Sequence, residues 1–298
     1  MLKSPLFQTK SRLEARPARR RPAFVVAIAI VVCSLALASR SFAHPEIEAQ
    51  LAHVSTEIAR QPDNAELYLK RGHLHRAHRD WKSGLIDFRQ AAKLDPGLHQ
   101  VERAIGRLLL DADQPKQALP QLERFLKLQP ADPDGLILRG RTLGKLGATK
   151  RAAADFDAAL PNLRRPTPEL FIERAKILVA GGNEFQARAL LGLAEGVEKL
   201  GDLYTLHRFA AQLEITSGQP EAALRRVRSL LEKTKGQLPW RILEAELLAS
   251  SQKSKEAQAA YHQALEKIAS LPPHRRRTPV IAETEKSIRK ALAEIGAE

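Results

Sequence analysis

The chain has 298 residues, 44% hydrophobic and 28% charged, with a formal net charge of +14 and a single cysteine, Cys33. One cysteine excludes an internal disulfide framework and a cysteine-based metal site. Half of the positive charge belongs to the first 43 residues, where eight Lys or Arg face one Glu, so the body carries 40 basic against 33 acidic residues and a net +7.

The N-terminal stretch sets Lys3, Lys10, Arg12, Arg16, Arg19, Arg20 and Arg21 against Glu14 alone, followed by an apolar run of sixteen residues from Ala23 to Ala38. As a helix this run would rise about 24 Å, short of the ~20 residues that span a bilayer core. Ser41-Phe42-Ala43 then offers small residues at the positions a signal peptidase reads. Residues 1–43 are therefore expected to be an export signal, or an inner-membrane anchor where cleavage does not occur. Either way the positive flank stays inside and the body is exported, to the periplasm or the cell exterior.

Ile47, Leu51, Val54 and Ile58 recur at helical spacing, which predicts an amphipathic helix within residues 44–64. Beyond it two columns of small residues run in step. One is Gly72, Gly106, Gly140, Ala175, Ala211, Ala245; the other is Gly84, Ala118, Ala152, Ala187, Ala223, Ala257, and both are spaced 34, 34, 35, 36 and 34. Small residues are needed where two antiparallel helices approach closely. Four residues after each member of the second column stand Phe88, Leu122, Phe156, Leu191, Val227 and Tyr261, expected to fill the core. A third column, Ala91, Phe125, Ala159, Ala194, Leu230 and Ala264, is expected to face the next repeat.

Turn pairs fall between the two columns at Arg79-Asp80, Asp113-Gln114, Gly147-Ala148, Gly182-Asn183, Gly218-Gln219 and Gln252-Lys253. Pro96, Pro130, Pro166 and Pro168 are placed to stop second helices, and Pro120 inside one predicts a kink. After the last unit, residues 272–277 read as a basic, proline-containing linker, and Val280 to Ile295 as a helix with Ile281, Ile288, Leu292 and Ile295 on one face.

Within Ala65 to Pro96, the residues Tyr68, Gly72, His75, Gly84, Phe88, Ala91 and Pro96 stand at the signature offsets of a 34-residue pattern, and the sequence resembles a tetratricopeptide repeat protein. The resemblance implies an all-α, right-handed superhelical solenoid of about six helix-turn-helix repeats at 65–98, 99–132, 133–167, 168–203, 204–237 and 238–271, with capping helices at 44–64 and in 272–298. Caps are needed because the end repeats of such an array otherwise leave an apolar face in water.

No phosphate-cradling glycine loop, nucleophile elbow or zinc-protease helix occurs in the body, so no enzymatic activity and no cofactor are expected. The resemblance implies instead that first helices line a concave groove. There the residue after each small position is His73, Arg107, Arg141, Lys176, Gln212 and Glu246; four residues earlier come Leu69, Arg103, Ile137, Ile172, Arg208 and Ile242. With Arg76 and Lys145 nearby, the groove residues are His73, Arg76, Arg103, Arg107, Arg141, Lys145, Lys176 and Arg208. Such a surface suits an acidic protein or peptide, since a guanidinium can grip a carboxylate in two places. Export argues against nucleic acid, and membrane contact is expected only through an uncleaved N-terminal segment. The asparagines that accompany a strict carboxylate clamp are missing from these positions.

Two other roles remain open at this stage. His73, His75 and His78 crowd one helix; His73 and His78 would be the ligands if the protein carried a metal or haem. His75, at the tyrosine-like position of the repeat, is expected to pack between the helices. The array could also serve as an auxiliary subunit of an envelope enzyme complex, acting through its convex face or its caps.

Overall fold

The computed structural model describes residues 45–296; the expected export signal lies outside them. Every regular element among the described residues is helical. Helix α1 (Pro45–Arg60) precedes six helix pairs: α2 (Ala65–Ala77) with α3 (Trp81–Leu94), α4 (Gln100–Asp111) with α5 (Pro115–Leu128), α6 (Pro133–Lys145) with α7 (Thr149–Ala159), α8 (Pro168–Ala180) with α9 (Gln186–Leu200), α10 (Tyr204–Thr216) with α11 (Pro220–Lys233), and α12 (Leu238–Ser250) with α13 (Ser254–Ala269). A four-residue α14 (Pro273–Arg276) occupies the stretch read as linker, and α15 (Pro279–Gly296) closes the chain. Each helix packs on its partner and on the next pair, which makes the molecule an α-solenoid.

Local chemistry accounts for the helix starts and stops. Asn64, Asp80 and Asp132 accept hydrogen bonds from the backbone N–H groups of Glu66, Ser83 and Gly135, satisfying donors the first turn leaves free. Pro115, Pro133, Pro168 and Pro220 open their helices, where a missing N–H costs nothing. The first residue of all six turns has positive φ: Arg79, Asp113, Gly147, Gly182, Gly218 and Gln252. In five of the six, the next residue donates its N–H to a carbonyl five residues back, as Asp80 does to His75, closing the helix with a Schellman motif.

The small columns pack as their spacing requires. A Cβ added at Gly72 would stand 2.5 Å from the Phe88 ring, one at Gly106 2.6 Å from Leu122, and one at Gly140 2.9 Å from Phe156. Phe88, Leu122, Phe156, Val227 and Tyr261 are buried, as are Ala91, Phe125, Ala159, Leu230 and Ala264. Helix α5 runs without interruption through Pro120.

Repeat four departs from the expected register. Leu191 is 72% exposed, and Leu193 is the buried residue at 1%; likewise Ala189 and Gly196 are buried where Ala187 and Ala194 were expected. The reason is a short 3-10 turn, Asn183–Phe185, that lengthens this connection by two residues and rotates α9 accordingly. No Schellman bond forms there. The buried Arg174 guanidinium fits against Gly192, donating to its carbonyl at 2.9 Å and to Asp157 and Glu195 at 2.8 Å each.

At the two ends the array is covered. Helix α1 buries Val54 and Ile58 and packs on α2. Helix α15 buries Ile288 and lays Ile281, Leu292 and Ile295 on the core of repeats five and six.

Candidate functional site

The first helices α2, α4, α6 and α8 bring their column residues to one concave surface, where the small residue beneath each holds the helices close. Two adjoining concavities form there. One of ≈ 420 Å³ is lined by His73, Arg76, Arg103, Arg107, Arg141 and Arg165 over an apolar floor that includes Ala104, Ile137, Leu138, Leu163 and Leu170. The other, of ≈ 500 Å³, shares Arg107 and Arg141 and adds Lys145, Lys176 and Ile177. Seven of the eight residues singled out from the sequence thus meet on one continuous surface; Arg208 lies beyond it on α10.

The structure also supplies acids that the column reading left out. Arg76 Nη1 donates to Asp111 Oδ2 at 2.6 Å, and Arg107 Nε donates to the same carboxylate at 3.2 Å. Arg103 pairs with Asp132 at 3.1 Å, and Arg141 grips Glu173 through two 2.8 Å bonds. Lys145 reaches Asp113 at 2.7 Å, and Arg208 lies 3.6 Å from Glu246. In each case except the Arg107 contact the acid belongs to a different repeat or to the boundary of the next. The cations therefore act first as staples between repeats, and the groove is much less positive than its basic residues alone suggest. Apart from Glu246, these acids lie outside the columns, which is why spacing did not reveal them.

Three groups retain free capacity. Lys176 has no carboxylate partner among the described residues and sits 5.8 Å above the Phe209 ring. Arg165, in the connection before α8, is exposed and likewise without an ion pair there. His73 lies edge-on to Phe88 with ring centroids 5.1 Å apart. Its partial burial pushes its imidazole below the usual value, and Arg76 and Arg103 push the same way, so His73 is neutral at pH 7. Arg165 was missed because it sits outside the helix columns; the Arg164-Arg165 pair beside Pro166 was its only signal.

The histidines separate. His75 lies between helices, with Nδ1 3.6 Å from Asp80 and Nε2 3.7 Å from Asp87, while Asp87 is held by Arg71 through bonds of 2.7 and 2.8 Å. His78 caps the end of α2. Among the described residues no three His, Cys, Asp or Glu side chains gather in a way that could hold a metal ion. No described helix is long and apolar enough to cross a membrane.

Comparison with known proteins agrees with the fold. The tetratricopeptide repeat family model matches residues 103–168, which span the second and third helix pairs. In fold the chain is similar to a tetratricopeptide repeat protein from Parabacteroides merdae ATCC 43184, at 14% identity over 84% of this chain and 93% of that one, with a TM-score of 0.51. It is similar also to PilW, described as a widely conserved type IV pilus biogenesis factor, at 16% identity over 68% of this chain and 93% of the other, with a TM-score of 0.53. The MamA protein gives 14% identity, 58% and 93% coverage, and a TM-score of 0.50. No curated protein matches the chain in sequence. The chain thus contains tetratricopeptide repeat sequence at residues 103–168 and builds around it the helical solenoid of tetratricopeptide repeat proteins.

Proposed function

We propose that the protein is a non-enzymatic binding adaptor, exported from the cytoplasm, that holds an acidic segment of a protein or peptide along its concave groove. The observation that carries the reading is the pair of adjoining concavities on α2, α4, α6 and α8, where cations stand over an apolar floor. An extended peptide can bury apolar side chains there while its carboxylates meet Arg165, Lys176 and the unused N–H groups of Arg107. The reading of location rests on the basic, apolar and small-residue order of residues 1–43.

The test separates groove from fold. The full chain is affinity-purified from its native cell, the co-purifying protein is identified, and its affinity is measured for Arg165→Glu/Lys176→Glu. Neither residue makes an inter-repeat ion pair among the described residues, and Lys176 makes only its contact with the Phe209 ring, so the fold should be retained. A loss of tenfold or more is expected, with no change for Lys82→Glu/Lys93→Glu, which make the same charge change on α3. Undiminished binding by the groove variant overturns the reading.

A further inference from the structure

Beyond Lys176 the groove changes character. The column that runs His73, Arg107, Arg141, Lys176 continues as Gln212 and Glu246, passing from basic to acidic. There α10, α12, α13 and the final helix α15 line a third concavity of ≈ 720 Å³ whose walls include Tyr204, Ile242, Tyr261, Val280, Ile288 and Ala291. Its volume falls in the range of sites that enclose ligand groups. Arg208 is occupied by Glu246 at 3.6 Å and lies 6.0 Å from the Tyr204 ring centroid, and Glu283 lies 3.9 Å from Lys286, so the rim presents no unpaired cation.

Much of the wall is apolar. Tyr204 leans on Trp240 with ring centroids 5.2 Å apart, and Tyr261 is buried against the core of repeats five and six. Val280 stands at the mouth with 74% of its surface in water. A large apolar residue exposed beside a tyrosine-lined hollow suits contact with another apolar side chain. The rim offers the acidic part of a ligand no free cation, whereas the cationic half of the concave surface does.

We infer that this concavity anchors one or two large apolar or aromatic side chains of the same extended segment whose acidic residues lie on repeats two to four. The inference rests on the groove reading above. Neighbouring helix axes lie roughly 8–10 Å apart and an extended chain advances about 3.3 Å per residue, which puts the anchor roughly five to eight residues from the acidic cluster.

A display library of random 16-residue peptides selected on the immobilised full chain tests this, followed by anisotropy of a fluorescein-labelled enriched peptide. Enriched sequences are expected to pair an acidic cluster with Phe, Tyr, Trp or Leu at that separation. Val280→Glu, an exposed change near a helix N-terminus that the fold should accept, is expected to weaken binding about tenfold, and to have no effect on a peptide lacking the anchor residue. Arg165→Glu/Lys176→Glu is expected to weaken it independently. Acidic sequences without an apolar anchor, or a silent Val280→Glu, overturn the anchor and leave the groove reading standing. Apolar sequences without acids, insensitive to Arg165→Glu/Lys176→Glu, overturn the groove reading and with it the single spanning segment. Enrichment of neither overturns both.

Discussion

Arg141 grips Glu173 with Nε and Nη2, each 2.8 Å from a carboxylate oxygen, across the junction between the third and fourth repeats. Both side chains are 32% exposed, so solvent screening limits the pair to about 1 kcal/mol of coupling despite its two-pronged geometry. A double-mutant cycle of Arg141→Ala and Glu173→Ala, read by denaturant unfolding at low salt, should show that coupling, and it should shrink at high salt. Zero coupling at low salt would mean that the junction does not depend on its ion pair.

The shifted register of repeat four makes a sharp contrast between two leucines two residues apart. Leu191→Ser should change stability by no more than about 0.5 kcal/mol, because the side chain already stands in water. Leu193→Ala should cost about 2–5 kcal/mol by opening a cavity in the core shared with Phe171 and Leu206. Thermal unfolding of the two variants is enough to decide, and equal costs would restore the register expected from the spacing.

Close packing at the small column can be checked at Gly72. A methyl there would meet Phe88 Cδ1 and Cε1 at 2.5 Å, and the ring is fully buried. Gly72→Ala should therefore destabilise by about 1–3 kcal/mol, and adding Phe88→Leu should return part of that loss. If Gly72→Ala is neutral, the first helix pair has more slack than its geometry allows.

His207 predicts a pH dependence. The ring is buried, edge-on to Trp240 at 5.7 Å between centroids, with Nε2 3.0 Å from Asp202 Oδ1 and Nδ1 lacking any hydrogen-bond partner among the described residues. Burial pushes its imidazole down; the bond to Asp202 opposes this, and Arg226 and Lys233 add to the lowering. The group is neutral in both states above the unfolded value of about 6.5, so its contribution is fully present there. As pH falls below that, the unfolded chain takes up a proton that the folded site resists, and stability drops by at most about 1.4 kcal/mol per pH unit until the folded site titrates. His73 works in the same direction, whereas the stability contributed by the lowered Asp202 carboxylate is fully present above about pH 3.8 and is lost only as pH falls below that. Melting temperatures at pH 7.5 and 5.5 should therefore converge in His207→Gln relative to the unmodified chain. An unchanged gap would exclude His207 as its source.

Much of the fold was legible because helix pairing demands small residues at fixed intervals, and Gly72, Gly106 and Gly140 meet their ring or leucine partners accordingly. The same logic misread α9. An alanine at position 187 satisfies the column as well as one at 189, and spacing alone cannot tell a two-residue turn from one extended by Asn183–Phe185. The groove's basic residues were legible for the same reason as the core, since they share the helical period. Their carboxylate partners were not, because Asp111, Asp132 and Glu173 come from unlike positions in neighbouring repeats and meet the cations only after the helices stack. The C-terminal hollow was invisible for a related reason: it needs α15 packed on α13 so that its residues share a hollow with those of α10 and α12.

Because the concave carboxylates are lent across junctions, no single repeat owns its share of the concave face. Transplanting α4 and α5 into another array would carry Arg107 and Asp111 but leave behind Arg76, which shares that acid. Changing the order or number of repeats would thus rewrite the charge pattern of the concave face on both sides of each cut, even where every helix kept its own sequence.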